Sequence, residues 1–258
     1  METIGFIGLG NLGTAIAQNI QNAGYPMVVY DIREGATKPL LKEGSRLAGA
    51  PDEVASLSDV TFTSLPGPRE VEDVTLGLHG VVNGIKEGGI YVDLSTSRPS
   101  LIRRIGEIFE EKSVKVLDAP VLTSPATAAD RQVVVMPSGD REVYQKLRPL
   151  FDSFADTVVY QGPLGMGSTC KLVNNMITLA VRQVVAEGLT LGVKAGLDLD
   201  SLMEAGNRMV LGHQEEGLRK TVFRGQFDPP SFRQALARKD IGLANELGRE
   251  LNVPMPVA

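Results

Sequence analysis

The sequence predicts an α/β fold: a mostly parallel, doubly wound sheet over residues 1–162, followed by an all-helical region joined to it by a long helix. Three observations predict it. From Thr3 to Tyr160, short β-branched runs alternate with helical patterns, the order expected of a parallel sheet. Most of those runs are apolar throughout, as strands covered on both faces are. After the turn-rich stretch Gln161-Gly162-Pro163-Leu164-Gly165-Met166-Gly167 no convincing strand follows.

The expected strands are Thr3–Gly8, Met27–Tyr30, Val60–Ser64, Ile90–Asp93, Val114–Ala119, Val133–Met136 and Val158–Tyr160. The helices between them are expected at Leu12–Ala23, Asp52–Leu57, Arg69–Leu76, Leu101–Lys112 and Arg141–Phe151. Pro99 suits the start of the fourth, and Asp140 is placed to cap the fifth. Beyond the turn, a long helix is expected from about Ser168 to Gly192, then shorter ones at Leu199–Met209, Gln214–Thr221 and Phe232–Leu251. The domain boundary falls near residue 162, with residues 163–258 forming the helical domain.

Composition narrows the function classes. The 258 residues are 43% hydrophobic and 22% charged, with a net charge of −5, an ordinary globular profile. Lys and Arg are scattered, which argues against nucleic acid, since phosphate binding needs a basic stripe. The single cysteine, Cys170, excludes an internal disulfide and fits a reducing compartment. One Cys and two His, His79 and His213, argue against a transition-metal site; both histidines read as surface or loop residues. The N-terminus lacks the positive region of a secretory signal, and no run approaches the ~20 apolar residues of a membrane span. A cytoplasmic protein without a membrane partner is expected.

The run Gly5-Phe6-Ile7-Gly8-Leu9-Gly10-Asn11-Leu12-Gly13 ends one strand and opens a helix. Gly8 permits the tight turn and Gly10 lets the backbone approach a pyrophosphate. Gly13 lets helix and strand pack closely, while the amides that open the helix, from Asn11 and Leu12 onward, face the phosphates. Asp31, at the end of the second strand, is placed to accept hydrogen bonds from the adenosine ribose and to repel a 2′-phosphate. The unit therefore predicts a nicotinamide dinucleotide, NAD rather than NADP. Arg33 leaves NADP open, although it reads first as a solvated loop arginine.

Oxidising an alcohol with such a cofactor needs a residue to take the hydroxyl proton. Lys171, Asn174 and Asn175 fall at i, i+3 and i+4 of the long helix and share one face. The helix from Leu172 to Val185 is otherwise mainly apolar, so it is expected to be buried and its polar residues to have a purpose. The helix dipole and burial both disfavour the Lys171 ammonium, as a general base near pH 7 requires. A second reading stays open at this point: Lys171 snorkels to solvent and Asn174 caps something local. Cys170 reads as a small buried residue.

These residues resemble the β-hydroxyacid dehydrogenase family, which includes 3-hydroxyisobutyrate dehydrogenases and tartronate semialdehyde reductases. The resemblance runs essentially end to end. It rests on the Gly-rich unit continuing into Gln18-Asn19-Ile20 and Ala23-Gly24-Tyr25, on Leu65-Pro66, and on Asp93-Leu94-Ser95-Thr96. It rests also on Asp118-Ala119-Pro120-Val121, on Gly165-x-Gly167 with Lys171 and Asn174-Asn175, and on Lys239-Asp240-Ile241-Gly242-Leu243-Ala244. It implies a Rossmann domain, then a helical domain joined by a long helix that helps form dimers; a homodimer or homotetramer is expected. It implies Lys171 as general acid/base and Asn175 as the residue orienting Lys171 and substrate. Leu65, Pro66, Thr96 and Lys239 are then cofactor residues, the last three on the nicotinamide half.

Two departures bear on the substrate. The family usually follows Asp-Ala-Pro-Val with Ser-Gly-Gly, which holds the substrate carboxylate; here Leu122-Thr123-Ser124 stand there. Thr123 and Ser124 become the candidate hydroxyl donors, with Asn174 beside them. The chain also stops at Val257-Ala258, where family members usually run on for another helix, so the expectation is a helical domain truncated at its C-terminus or lacking that element. The implied activity is interconversion of a small 3-hydroxyacid and its semialdehyde. The alternatives are a reductase of small aldehydes such as succinic or tartronate semialdehyde, and a catalytically silent dinucleotide-binding module. An imine reductase fits less well, because Lys171 is present.

Overall fold

The computed structural model describes residues 2–123, 125–206, 208, 211, 223–225, 228 and 232–256. It forms two compact units, Met1–Leu172 and Val173–Ala258.

The first unit begins β1 (Ile4–Ile7), α1 (Asn11–Asn22), β2 (Met27–Tyr30), α2 (Lys38–Lys42), β3 (Arg46–Leu47), α3 (Pro51–Ser56) and β4 (Val60–Thr63). It continues α4 (Pro68–Leu76), α5 (Val81–Gly84), β5 (Ile90–Asp93), α6 (Pro99–Glu110) and β6 (Lys115–Asp118). After these come β7 (Val121–Leu122), α7 (Pro125–Ala129), β8 (Val134–Val135), β9 (Ser138–Gly139), α8 (Arg141–Phe154) and β10 (Thr157–Val158).

Seven strands form one sheet in the order β3-β2-β1-β4-β5-β6-β9. Every pairing is parallel except β6 with β9. The order reverses at β1 and β4, and ligands of doubly wound sheets bind in the crevice outside the strand ends at such a point. The register sets Asp93 of β5 directly opposite Asp118 of β6.

Alternate residues feed two apolar layers. Phe6 and Phe62 point to the α1 and α8 side, where Phe62 meets Phe151 and Phe154 edge-on at 6.4 Å each. Tyr91 points the other way and packs on Phe109 of α6 at 5.4 Å. Burying each such ring contributes about 1.5–3 kcal/mol, so these layers hold the strand ends in place. Asp140 caps α8 as expected: its side chain accepts from the Glu142 and Val143 amides at 2.9 and 3.3 Å.

Two expected strands go elsewhere. Val133–Met136 and Val158–Tyr160 contract to β8 and β10 and join β7 in a separate three-stranded sheet. The antiparallel β9 takes the edge beside β6 instead. The elements that the sequence did not reveal (β3, β7, β9, α2, α5 and α7) are two to five residues long, too short for a hydrophobic period to register.

In the second unit, α9 (Met166–Lys194) continues from the first, followed by α10 (Leu199–Gly206) and α11 (Gln234–Glu250). The helix expected at Gln214–Thr221 lies outside the described residues, as do His213 and the terminal Val257-Ala258. Val185 and Leu189 of α9 pack with Met203 of α10. The expectation that α9 is buried all round is corrected: Val184 is 61% and Leu191 72% exposed, and Val173 and Ile177 are about half exposed. Among the described residues, one apolar stripe of the helix packs on a neighbour and the other is exposed. A second correction concerns membranes. By length and composition, the 29-residue α9 is apolar enough to cross a bilayer, because its polar residues are spread along it rather than grouped.

Candidate active site

The cofactor cradle is built on glycine. Gly8 has φ +94°, the left-handed region that glycine enters at little cost; a Cβ there would run into the Ser64 carbonyl and sit 3.0 Å from the Leu65 side chain. A Cβ on Gly13 would strike the Gly8 carbonyl, whereas the space beside Gly10 is open for 4 Å. Gly10 caps α1 without a side chain. The amides of the first turn, at Asn11, Leu12 and Gly13, lack acceptors within their own helix and face that opening. An anion of pyrophosphate size fits this cradle on both steric and electrostatic grounds.

Asp31 closes the cradle's far side. Its Oδ2 accepts from the Leu9 amide at 2.7 Å, and Oδ1 from the Arg33 amide at 2.8 Å. Arg33 adds Nε to Oδ1 at 3.1 Å and reaches the Leu9 carbonyl at 3.2 Å. Burial works to raise the Asp31 carboxyl, but the hydrogen bonds from Arg33 and Leu9 outweigh it and hold the group below the usual carboxylate range. Arg33 lies in a loop with its side chain 63% exposed, as expected, and it is in addition anchored on Asp31. The signal for this was the spacing of two residues, which places both groups at one strand end.

Leu65 and Thr96 stand on loops that leave β4 and β5, and these loops are stitched together. The Leu65 amide donates to Ser95 Oγ at 2.9 Å. Asp93 Oδ1 accepts from the Ser95 amide at 3.1 Å and from Thr63 Oγ1 at 2.8 Å. Burial pushes the Asp93 carboxyl up to about 6, against the pull of those hydrogen bonds. Pro66 is exposed and Thr96 half-buried on the same loops.

Lys171 lies in the opening turns of α9, half-buried, and its Nζ donates to the Val121 carbonyl at 2.8 Å. The amine therefore turns toward β7, the strand that leads into Leu122-Thr123. The Thr123 hydroxyl donates to the Gln132 carbonyl at 2.9 Å and lies 3.1 Å from Thr127 Oγ1, so its hydrogen points into its own loop. Ser124 lies outside the described residues. Cys170 is half-buried rather than fully buried, and His79 is exposed beside Asp52.

The second unit gathers its own polar group. Asn175 Nδ2 donates to Asp240 Oδ2 at 2.7 Å, and Lys239 Nζ lies 3.0 Å from Asp240 Oδ1. Asn174 Nδ2 sits 3.5 Å from Asn175 Oδ1. Asp240 is only 2% exposed, and a buried carboxylate is retained only with partners of this kind. Sequence reasoning named Asn174, Asn175 and Lys239 but not Asp240. The adjacent Lys239-Asp240 pair was visible, but which residue the carboxylate would meet was not.

Residues 3–162 match the family model for the NAD binding domain of 6-phosphogluconate dehydrogenase. Residues 165–258 match the model for NAD-binding of NADP-dependent 3-hydroxyisobutyrate dehydrogenase. The chain belongs to the β-hydroxyacid dehydrogenase family, in its 3-hydroxyisobutyrate dehydrogenase-like branch. Its cofactor is a nicotinamide dinucleotide, NAD or NADP. Among family members, it is 32% identical to 2-(hydroxymethyl)glutarate dehydrogenase of Eubacterium barkeri, over 98% of this chain and 85% of that protein. It is 31% identical to glyoxylate/succinic semialdehyde reductase 2, chloroplastic, of Arabidopsis thaliana, over 99% of this chain and 72% of that one. The Mycobacterium tuberculosis 3-hydroxyisobutyrate dehydrogenase structure with L-serine superposes with a TM-score of 0.91 at 26% identity, covering 100% of this chain and 90% of that one. The Rossmann sheet followed by a long helix and a helical region is thus the fold of this hydroxyacid dehydrogenase family.

Proposed function

We propose that this β-hydroxyacid dehydrogenase interconverts a small 3-hydroxyacid and its semialdehyde, with Lys171 as the general acid/base. The observation that carries the reading is the 2.8 Å hydrogen bond from Lys171 Nζ to the Val121 carbonyl. It turns the amine toward β7, and a lysine snorkelling to solvent has no reason to make it.

When bound, NAD(P) would supply the hydride acceptor for oxidation of the carbinol and the hydride donor for reduction. In oxidation Lys171 Nζ, as the neutral amine, takes the hydroxyl proton while the carbon–oxygen double bond forms. In reduction the Lys171 ammonium gives that proton to the aldehyde oxygen. Asn175, one helical turn beyond Lys171, orients the amine and the substrate. Ser124 and Asn174 hold the substrate carboxylate; Thr123 joins them only if its hydroxyl turns away from the Gln132 carbonyl to which it donates. Gly8, Gly10, Asn11, Leu12 and Gly13 hold the pyrophosphate, Asp31 the adenosine ribose, and Pro66, Thr96 and Lys239 the nicotinamide side, with Leu65 also against the cofactor. Asp31 makes NAD the preferred cofactor, with NADP admitted through Arg33. The same proposal divides the chain into a cofactor domain (1–162) and a substrate and dimerisation domain (163–258). It also places a homodimer or homotetramer, built on the exposed stripe of α9, in the cytoplasm.

A second reading is a reductase of small aldehydes such as succinic or tartronate semialdehyde; these carry a carboxylate too, so the apolar Leu122 side chain bears on how the acid group is held rather than on which reading is right. A panel of 3-hydroxyacids and small semialdehydes assayed with both cofactors separates the two. Turnover restricted to semialdehydes without a matching 3-hydroxyacid oxidation selects the second reading. Cofactor binding with no turnover on any member selects a silent dinucleotide-binding module and overturns both.

A further inference from the structure

The start of α9 is held in an unusual way. A helix is ordinarily capped by the residue just before it. Here the acceptors come from two distant strands. Asp118, wholly buried at the end of β6, accepts the Gly165 amide on Oδ1 at 2.9 Å and the Ser168 amide on Oδ2 at 2.6 Å. Ser138 of β9, equally buried, donates a short hydrogen bond to Asp118 Oδ1 and accepts the Gly167 amide at 2.9 Å.

The fit leaves no slack. A Cβ at Gly167 would strike the Met136 carbonyl and stand 3.1 Å from Asp118 Oδ2. Gly165 has φ +91°. A cap from the helix's own flank determines that a helix begins; a cap from β6 and β9 determines where it sits against the sheet. The segment that starts at Asp118 then accepts Lys171 Nζ at Val121, one turn further along. Helix and segment are therefore tied at two points, the first turn of α9 and Lys171 itself.

We propose that the buried Asp118–Ser138 pair positions Lys171, by pinning the first turn of α9 to the sheet so that the amine is held at the Val121 carbonyl. The inference rests on Lys171 being the acid/base for its effect on rate, but not for its effect on the amine's position. Proton transfer needs a reach of about 2.6–3.2 Å, and a misplacement of about 1 Å can cost about 100-fold in rate. Neither residue touches substrate or cofactor in this account.

The test uses the full chain with Ser138→Ala, Ser138→Thr and Asp118→Asn. Lys171 accessibility is read by a pulse of acetic anhydride and peptide mass spectrometry, alongside kcat and the Kd for NAD. The expected result is several-fold faster acetylation of Lys171 and a kcat lowered about 10-fold or more in Ser138→Ala. NAD affinity should stay within about twofold, because the cradle at Gly8–Gly13 is untouched, and Ser138→Thr should restore both readouts. If Asp118→Asn fails to fold, the two Ser138 variants still decide. Wild-type acetylation and wild-type kcat in Ser138→Ala would overturn the proposal. Lys171→Ala, run in parallel, separates the two ideas: turnover retained there removes the catalytic role of Lys171, while the acetylation rates still report on positioning.

Discussion

Lys171 Nζ donates to the carbonyl of Val121 across 2.8 Å, although the two residues lie on different elements and 50 positions apart in sequence. The bond joins the opening of α9 to β7, just ahead of the loop proposed to hold the substrate. It also narrows the choice left by the sequence, where Lys171 was equally able to face solvent.

Cofactor preference should follow Asp31 and Arg33. On the proposed role of Asp31 at the ribose, Asp31→Ala should lower the ratio of kcat/KM for NAD over NADP about 10-fold or more, the scale of a charged hydrogen bond. Arg33→Ala should move the ratio the other way, chiefly by weakening NADP. An unchanged ratio in Asp31→Ala would remove Asp31 from the ribose.

Asn175 and Asp240 should behave as one unit. Removing Asn175 takes a partner from the buried Asp240 carboxylate, and removing Asp240 releases the half-buried Asn175 amide, so each single alanine variant should lower kcat by about 10- to 100-fold. In the double-mutant cycle the losses should fail to add, with a coupling of about 1 kcal/mol. Additive losses would mean that the 2.7 Å bond contributes nothing to activity.

Stability should depend on pH through Asp93. Burial raises its carboxyl from 3.8 to about 6, so the folded state binds the proton more tightly than the unfolded chain. The stability this gives is present below about pH 4 and is lost as pH rises toward about 6, with an upper bound of about 3 kcal/mol. Asp118 is raised in the same direction by its own burial. The Tm of Asp93→Asn should therefore fall less steeply than wild type between pH 4.5 and 7 (roughly the span of the titration), without becoming flat. Parallel Tm curves would contradict this.

The exposed stripe of α9 should be an assembly surface. Val184→Glu with Leu191→Glu places charge where apolar side chains stand 61% and 72% exposed. Light scattering should then show a smaller species than the wild type, with the Rossmann unit still binding NAD. An unchanged mass would direct the search for the interface elsewhere.

Much of this was legible in the sequence, for physical reasons that differ by element. The β1–α1–β2 unit announces itself because Gly8, Gly10 and Gly13 answer steric demands local to a few residues. Asp140 as a cap and α9 as a long helix follow from equally local rules. What stayed hidden depends on distant partners. Nothing near Asp118 tells that it caps a helix beginning at Met166, and nothing near Asp240 tells that it meets Asn175. The runs of β8 and β10 are visible in the sequence but read as strands of the main sheet, because an apolar run does not say which partner it pairs with; β7, two residues long, has no period to read. The outward stripe of α9 was read as buried because uniform apolarity does not say whether the second face meets this chain or another.

The most direct test of the account is the turnover of Lys171→Ala on the best substrate of the panel, with NAD affinity measured on the same protein. The account predicts a loss in kcat of about 1,000-fold, within the range of general acid–base catalysis, and NAD affinity within a few-fold of wild type. Near-normal turnover would contradict it.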